Sequence, residues 1–135
     1  MKDPVKKRIQ IRKEQGQAMT EFALVLPVLA LLLFAVIQFG IVFNNYVTLT
    51  DATRAGARKA AVSRDDPNRD ADVMAAVRSS ASNLDGSKLT VSPPSSTWDS
   101  GSDVTVTATY PYSISLLGLV VKSGSLSSTT TERVE

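Results

Sequence analysis

The 135-residue chain contains no cysteine and no histidine. Their absence excludes disulfides, thiolate nucleophiles, imidazole acid–base chemistry and most zinc or iron sites. Carboxylates, amines and hydroxyls remain, but no linear motif arranges them as a serine–lysine or paired-carboxylate site, which argues against a hydrolase. We therefore expect a protein with no enzymatic activity, no cofactor and no metal.

An excess of basic over acidic residues is also absent from most of the chain. Residues 1–16 hold six basic and two acidic residues, whereas the part from residue 44 onward holds nine basic and ten acidic ones. Aromatic residues make up only 6% of the chain, and no basic cluster is interleaved with them. We therefore expect neither a nucleic-acid partner nor a small-molecule substrate.

The abundant feature is one long apolar run at residues 23–43. Of its 21 residues, 18 are Ala, Val, Leu, Ile or Phe, and none is charged. As a helix the run is about 32 Å long, which matches the ~30 Å hydrocarbon layer of a bilayer. Because the basic cluster precedes it, the positive-inside rule places residues 1–16 in the cytoplasm and residues 44–135 outside.

A cleaved secretory signal is the competing interpretation of this run. Such signals have roughly 7–15 apolar residues followed by a small-x-small cleavage site. Here the run is longer, and the next such site, at Ala55 and Ala57, lies well beyond its end within a helical pattern. The sequence therefore favours a retained single-span anchor.

The junction before the run combines a basic leader, Gly16, Gln17, and Glu21 as the fifth residue after that glycine. This arrangement resembles the class III leaders of type IV prepilin-like proteins, which a membrane-embedded prepilin peptidase cuts after the glycine. A glycine also lets an extended backbone approach an active site closely. The resemblance implies a mature chain that starts at Gln17 and keeps its anchor.

Glu21 has two interpretations. An acid at a helix start is favoured by the macrodipole by about 0.3–1 kcal/mol. The prepilin resemblance instead implies that Glu21 pairs with the new N-terminal amine of a neighbouring subunit, an attraction that is strong in a low-dielectric helical core. An N-terminal Gln17 that cyclised would remove this amine.

The resemblance continues through Gln38, Phe39, Gly40, Asn44 and Tyr46 and through residues 51–61. Together with residues 16–27 these positions are similar to TadE-like proteins of tight-adherence (Flp) pilus systems, over about a third of the chain. The family implies a small pseudopilin or minor pilin of the inner membrane. Its implied partners are prepilin peptidase, other pilins or pseudopilins, the pilus assembly platform and membrane lipid. The sister TadF-like group shares this architecture and stays open.

Beyond the membrane the sequence predicts a helical stalk at residues 44–62. Its apolar or small positions recur every three or four residues and end in small side chains. Gly56 on this stalk is a candidate for a close helix contact, although simple helix packing is the favoured explanation. Gly40, near the outer end of the apolar run, is a second candidate, which a mere interfacial position explains equally well. The predicted organisation is a leader at 1–16, a membrane segment at 17–43, this stalk, and an outer domain at 63–135.

In the outer domain, Asp66 and Pro67 predict a helix restart with Val73, Met74, Val77 and Leu84 on its apolar side. Asp66, Asn68, Asp70 and Asp72 have the alternate spacing of a calcium loop, but Ala71 and Val77 stand where such a loop needs a glycine and an acid. A solvated helix start is therefore favoured over a metal site.

Residues 88–92, 102–110 and 125–134 are rich in Thr and Val and predict three antiparallel strands. The apolar residues 114–121 predict a buried strand-like segment, with a loop that touches membrane or partner as the alternative. The expected fold is therefore α+β, membrane-anchored and pilin-like.

Two functions fit this sequence. One is a TadE-like prepilin processed after Gly16, which acts as a minor structural or assembly component of a pilus. The other is an unprocessed signal-anchored envelope protein with an extracytoplasmic binding domain. They differ at Gly16, because only the first requires that glycine. Primer, tip and filament roles all remain open.

Overall fold

The computed structural model describes residues 4–116 and 118–135, with side chains from residue 16 onward. Of the predicted leader, residues 1–3 and the side chains of residues 4–15 lie outside this description. Along the described chain come α1 (Pro4–Ala61), α2 (Arg69–Ser80), β1 (Thr90–Val91), β2 (Asp103–Leu116) and β3 (Leu119–Arg133). The predicted α+β fold, with a long first helix, a short second helix and a three-stranded antiparallel sheet, is confirmed.

The chain divides into two compact units, Met1–Ile37 and Gln38–Glu135. In the first unit every large apolar side chain from Met19 to Ile37 is exposed. The helical part Gly16–Ala61 contains an 18-residue window with a mean hydropathy of 2.7, none of it buried. Helix α1 is therefore long and apolar enough to cross a membrane, and it runs through Pro27, as membrane helices tolerate.

The core lies in the second unit, where the outer part of α1 meets α2 and the sheet. Its fully buried members come from all three elements: Leu49, Ala52, Ala57 and Ala60 from α1, Val73 and Val77 from α2, and Val104, Val106 and Ala108 from β2. Small side chains dominate the α1 contribution. They let the helix axis come close to its neighbours, and removing the apolar area of all these residues from water stabilises the unit.

The sheet has the order β1-β2-β3, and both pairs are antiparallel. On β2, burial alternates as the sequence predicts, with Val104, Val106, Ala108 and Tyr110 facing the core. The threonines between them lie on the other face, where Thr105 and Thr107 exchange hydroxyl hydrogen bonds of 3.0 Å with Thr131 and Thr129 of β3. Such cross-strand pairs help to hold the register.

The strand bounds differ from the predicted ones. The first strand is reduced to Thr90–Val91, while β2 and β3 extend to Leu116 and Leu119 and form a hairpin. The preferred prediction of a buried segment at residues 114–121 is therefore wrong. Gly118, with φ at 83°, turns the chain beyond the last buried positions of the two strands. Leu119 is 74% exposed, because the core ends before the hairpin does.

Helix α2 begins at Arg69, slightly later than the predicted restart at Asp66 and Pro67. Asp66 caps the turn before the helix, since its Oδ1 accepts a hydrogen bond of 2.9 Å from the backbone N–H of Asn68. Of the predicted apolar side, Val73 and Val77 are fully buried. Leu84 is also buried, but it follows the helix end at Ser80.

Candidate processing junction and assembly surfaces

The predicted processing junction lies within α1, in the unit Met1–Ile37. Gly16 and Gln17 are exposed, as are Thr20 and Glu21 one turn later. The Thr20 hydroxyl donates a hydrogen bond of 2.9 Å to the Gly16 carbonyl, and Gln17 Nε2 donates one of 3.0 Å to Glu21 Oε1. The four residues thus form two local pairs across a single turn.

The Gln17–Glu21 pair was not anticipated from the sequence. A signal for it was present, because residues four apart in a helix face each other and a Gln amide is a good donor to a carboxylate. The pair joins the residue that would become the new N-terminus to the acid that would receive an N-terminal amine. Residues 17 and 21 are thus already in contact in the uncleaved chain.

Gly16 has no packing role among the described residues. A Cβ built on it would meet no atom within 4 Å. A glycine inside a helix costs about 1 kcal/mol relative to alanine, so the turn around Gly16 unwinds more easily than its neighbours. An exposed peptide bond that opens readily into an extended form is suited to proteolytic cleavage.

The two helix-contact candidates differ in their surroundings. A Cβ on Gly40 would meet nothing within 4 Å. A Cβ on Gly56 would collide with the Val77 side chain and approach Val106 Cγ1 to 3.2 Å. Gly56 therefore lies where α1 packs tightly against α2 and β2, whereas Gly40 lies on open helix surface.

One buried polar cluster went undetected in the sequence. The Thr53 hydroxyl lies 2.9 Å from the Thr50 carbonyl and from Ser128 Oγ, and 3.1 Å from Thr130 Oγ1. Thr53 is fully buried, and Ser128 is 7% exposed. Satisfied buried hydroxyls fix one arrangement of helix against strand, because any shift would leave them without partners.

The acidic series predicted as a weak metal candidate is occupied by local pairs. Asp66 caps the turn at Asn68, and Asp72 Oδ2 lies 3.5 Å from Lys59 Nζ. Within residues 4–116 and 118–135, no three His, Cys, Asp or Glu residues are grouped so that they could hold a metal. We therefore assign no ligand chemistry to this loop.

In the unit Gln38–Glu135, called the outer unit below, the Asp85 carboxylate has a perturbed pKa. Hydrogen bonds from the side chain and the backbone N–H of Ser87 lower the pKa of Asp85 below its usual value. The two bonds measure 2.6 and 3.0 Å, and the nearby Lys88 ammonium adds a smaller effect of the same sign. Asp85 therefore serves a tight turn rather than proton transfer.

Comparison with known proteins gives one match. A family model described as TadE-like protein matches residues 16–58, a segment that begins at Gly16 and ends within α1. The match confirms the resemblance seen in the sequence and stops before α2 and the sheet. Neither the curated proteins nor the solved structures give a match to this chain.

Proposed function

Because a TadE-like family model matches residues 16–58, which suggests association with a Tad-type pilus, we propose that the chain is a prepilin-like structural protein of that pilus. In this role it is not an enzyme and uses no cofactor, nucleic acid or small-molecule substrate. It supplies an anchored helix for assembly and an outer domain for contact. This proposal covers a minor subunit as well as an assembly factor.

The observation that carries this proposal is where the matched segment starts. It begins at Gly16, the residue after which cleavage is proposed, and leaves the basic leader outside. The peptide bond after Gly16 is exposed, and the apolar helix that follows is long enough to anchor the product. Cleavage there would remove the orientation signal and keep the membrane helix.

Glu21 then receives a role in assembly. Before cleavage its carboxylate accepts a hydrogen bond from the Gln17 side chain. After cleavage the backbone nitrogen of Gln17 becomes a cationic amine at the start of the apolar helix. A neighbouring subunit that offers its own amine would replace a hydrogen bond from a neutral amide by an ion pair, which is stronger in an apolar environment.

The proposed location follows from charge and length. The helix is compatible with a single-pass membrane anchor. With the leader in the cytoplasm, the anchor lies in the inner membrane and the unit Gln38–Glu135 faces outward. Its proposed partners are prepilin peptidase, other pilins or pseudopilins, the assembly platform and membrane lipid.

The test is intact-mass and N-terminal peptide analysis of the membrane-extracted protein, expressed with and without the prepilin peptidase of its system. We expect a chain that begins at Gln17 only when the peptidase is present. Gly16→Leu should abolish this product. Gly40→Leu is the matched control, because neither glycine has a neighbour within 4 Å of an added Cβ.

The same experiment separates the two functions that fit the sequence. Retention of residues 1–16 beside an active peptidase would contradict processing and favour an unprocessed envelope anchor. Equal cleavage of the Gly16→Leu chain would show that another site is used. In either case the outer unit would become the place to look for function.

A further inference from the structure

The end of the β2–β3 hairpin is apolar and lies outside the core. We define the hairpin tip as Ile114, Leu116, Leu119, Val120 and Val121. The last three are 74%, 65% and 63% exposed, and the first two are half-buried. A strand end of this kind is an aggregation hazard in water, so the tip requires a cover.

Two contacts fix the direction in which the hairpin points. The backbone N–H of Glu135 donates a hydrogen bond of 3.0 Å to the Ala61 carbonyl, at the end of α1. Two turns earlier on α1, Thr53 contacts Ser128 and Thr130. Strand β3 and helix α1 therefore run in the same direction, so the N-terminal end of β3 points toward the apolar run. All these residues belong to the unit Gln38–Glu135.

The strand is long enough to reach the end of that run. The two contacts are separated by about 12 Å of helix rise, from Thr53 to Ala61. The chain that joins the same two contacts, from about residue 129 to Glu135, is about 20 Å long. Roughly half of the strand length therefore projects along the helix axis. From Ser128 to Leu119 the strand covers about 30 Å, which projects to about 15 Å. The helix rise from Thr53 back to Phe43 is also about 15 Å.

The exposure of side chains on α1 agrees with this estimate of how far the hairpin extends along the helix. Gln38, Val42 and Asn45 are half-buried and lie at helical spacing on the face that continues to the buried Leu49. Their neighbours Phe39 and Phe43 are 68% and 58% exposed. The exposure of α1 is therefore lower on this one face as far back as Gln38, and the hairpin is the element that runs in that direction.

We propose that the hairpin tip inserts into the outer-leaflet interface of the bilayer that α1 spans. Its occupant is phospholipid, because the estimated projection of the strand ends about level with Phe43, the last residue of the apolar run. Lys122 follows the tip directly and is exposed, placed to meet the phosphate groups as its stem lies along the apolar surface. The tip thus gives the outer unit a second membrane contact.

The full-length chain, one copy per nanodisc of phosphatidylethanolamine and phosphatidylglycerol, provides the test. Because the chain has no native cysteine, Val120→Cys carries a single nitroxide label. Collision of the label with oxygen and with a water-soluble nickel complex then reports its surroundings. We expect oxygen accessibility to exceed nickel accessibility at residue 120, as for a label about 5–10 Å into the interface.

Ser127→Cys is the matched control, because Ser127 is an exposed residue of the same strand. Its label should show the reverse preference. A second variant carries the label at Leu119 together with Val120→Asp, and it should lose the oxygen preference because the charge keeps the tip in water. Unchanged thermal unfolding of each variant shows that the fold is retained.

The other outcomes contradict the proposal. Equal nickel access at residues 120 and 127 in single-copy discs would place the tip in water. Protection from both reagents would place it against protein. Water access in single-copy discs combined with protection in assembled pili would identify the tip as a contact between subunits. The experiment does not depend on cleavage after Gly16, so its failure leaves the proposed function standing.

Discussion

The two units of this chain differ in the exposure of their apolar side chains, which the first unit exposes and the core of the second buries. In Met1–Ile37, Leu32 and Val36 are 59% and 70% exposed, while in Gln38–Glu135, Val77 and Val106 are fully buried. The exposed apolar side chains of the first unit are compatible with a membrane anchor, because lipid accepts such side chains and requires only that the helix satisfy its own backbone. The second must exclude water by packing, so each side chain there depends on its neighbours.

The glycines sharpen this difference. Gly16 and Gly40 lie on open helix surface, whereas Gly56 is enclosed by Val77 and Val106. In the first case a glycine changes only the local stiffness of the backbone. In the second its missing side chain permits a close approach between elements. The same residue type therefore has different consequences in membrane helix and core.

The largest effect is expected at Glu21, where assembly would depend on one charge. Glu21→Gln should leave cleavage after Gly16 intact and lower incorporation into sheared pili by about tenfold or more, the equivalent of ~1.4 kcal/mol. Glu132→Gln, at an exposed position of β3, is the matched control and should assemble normally. Normal assembly of the Glu21 variant would refute the ion-pair mechanism.

The largest effect on folding, as distinct from assembly, is expected for Gly56→Leu, which tests the enclosed glycine. The added side chain must displace Val77 and Val106, so the free energy of unfolding of the outer unit should fall by about 1–3 kcal/mol. Thermal unfolding of the full-length protein, with Gly40→Leu as the matched variant, measures the loss. An unchanged melting temperature would show that the close approach at Gly56 is not needed.

A smaller effect is expected at the buried hydroxyl cluster. Thr53→Val keeps the shape of the side chain but leaves Ser128 and Thr130 without their shared partner, which should cost about 1–2 kcal/mol of unfolding free energy. In Thr50→Val only a hydrogen bond to the Tyr46 carbonyl is lost, so that variant should change little. Equal effects of the two substitutions would contradict a special role for the cluster.

The smallest effect concerns Asp85, on the surface of the outer unit. Because hydrogen bonds lower its pKa in the folded state, its contribution to stability is present above the pKa of the unfolded chain and is lost as the pH falls through the folded pKa. Ser87→Ala should raise the pKa of Asp85 toward its usual value in a carbon-detected NMR titration. An unchanged pKa would show that the hydrogen bond from the Ser87 hydroxyl does not persist in solution, since the variant keeps the backbone N–H.

Local patterns predicted the parts of the fold that depend on local physics. An uncharged apolar run of this length predicts a long helix that is compatible with a membrane span, and the alternation from Val104 to Tyr110 matches a strand with one buried face. The hairpin end was predicted poorly. An apolar stretch such as residues 114–121 suits a core or an exposed contact equally well, and only its distance from the core decides between them.

Among the site residues, Gly16, Gln17 and Glu21 were identified because this short stretch of sequence resembles the leader junction of prepilin-like proteins. Their proposed roles remain predictions for the experiments above. Thr53 could not be found in this way, since its partner Ser128 lies 75 residues away. No periodicity links two positions that meet only after the sheet has formed.

The sequence by itself determined the single long apolar run, the basic residues before it and the strand alternation, because these follow from composition and from repeats of a few residues. Only the tertiary structure decided that Gly56 is enclosed while Gly40 is open, that the hydroxyl of Thr53 is buried, and that the hairpin tip is exposed. Those properties depend on which distant segments pack together, and packing is set by the whole chain rather than by any window of it.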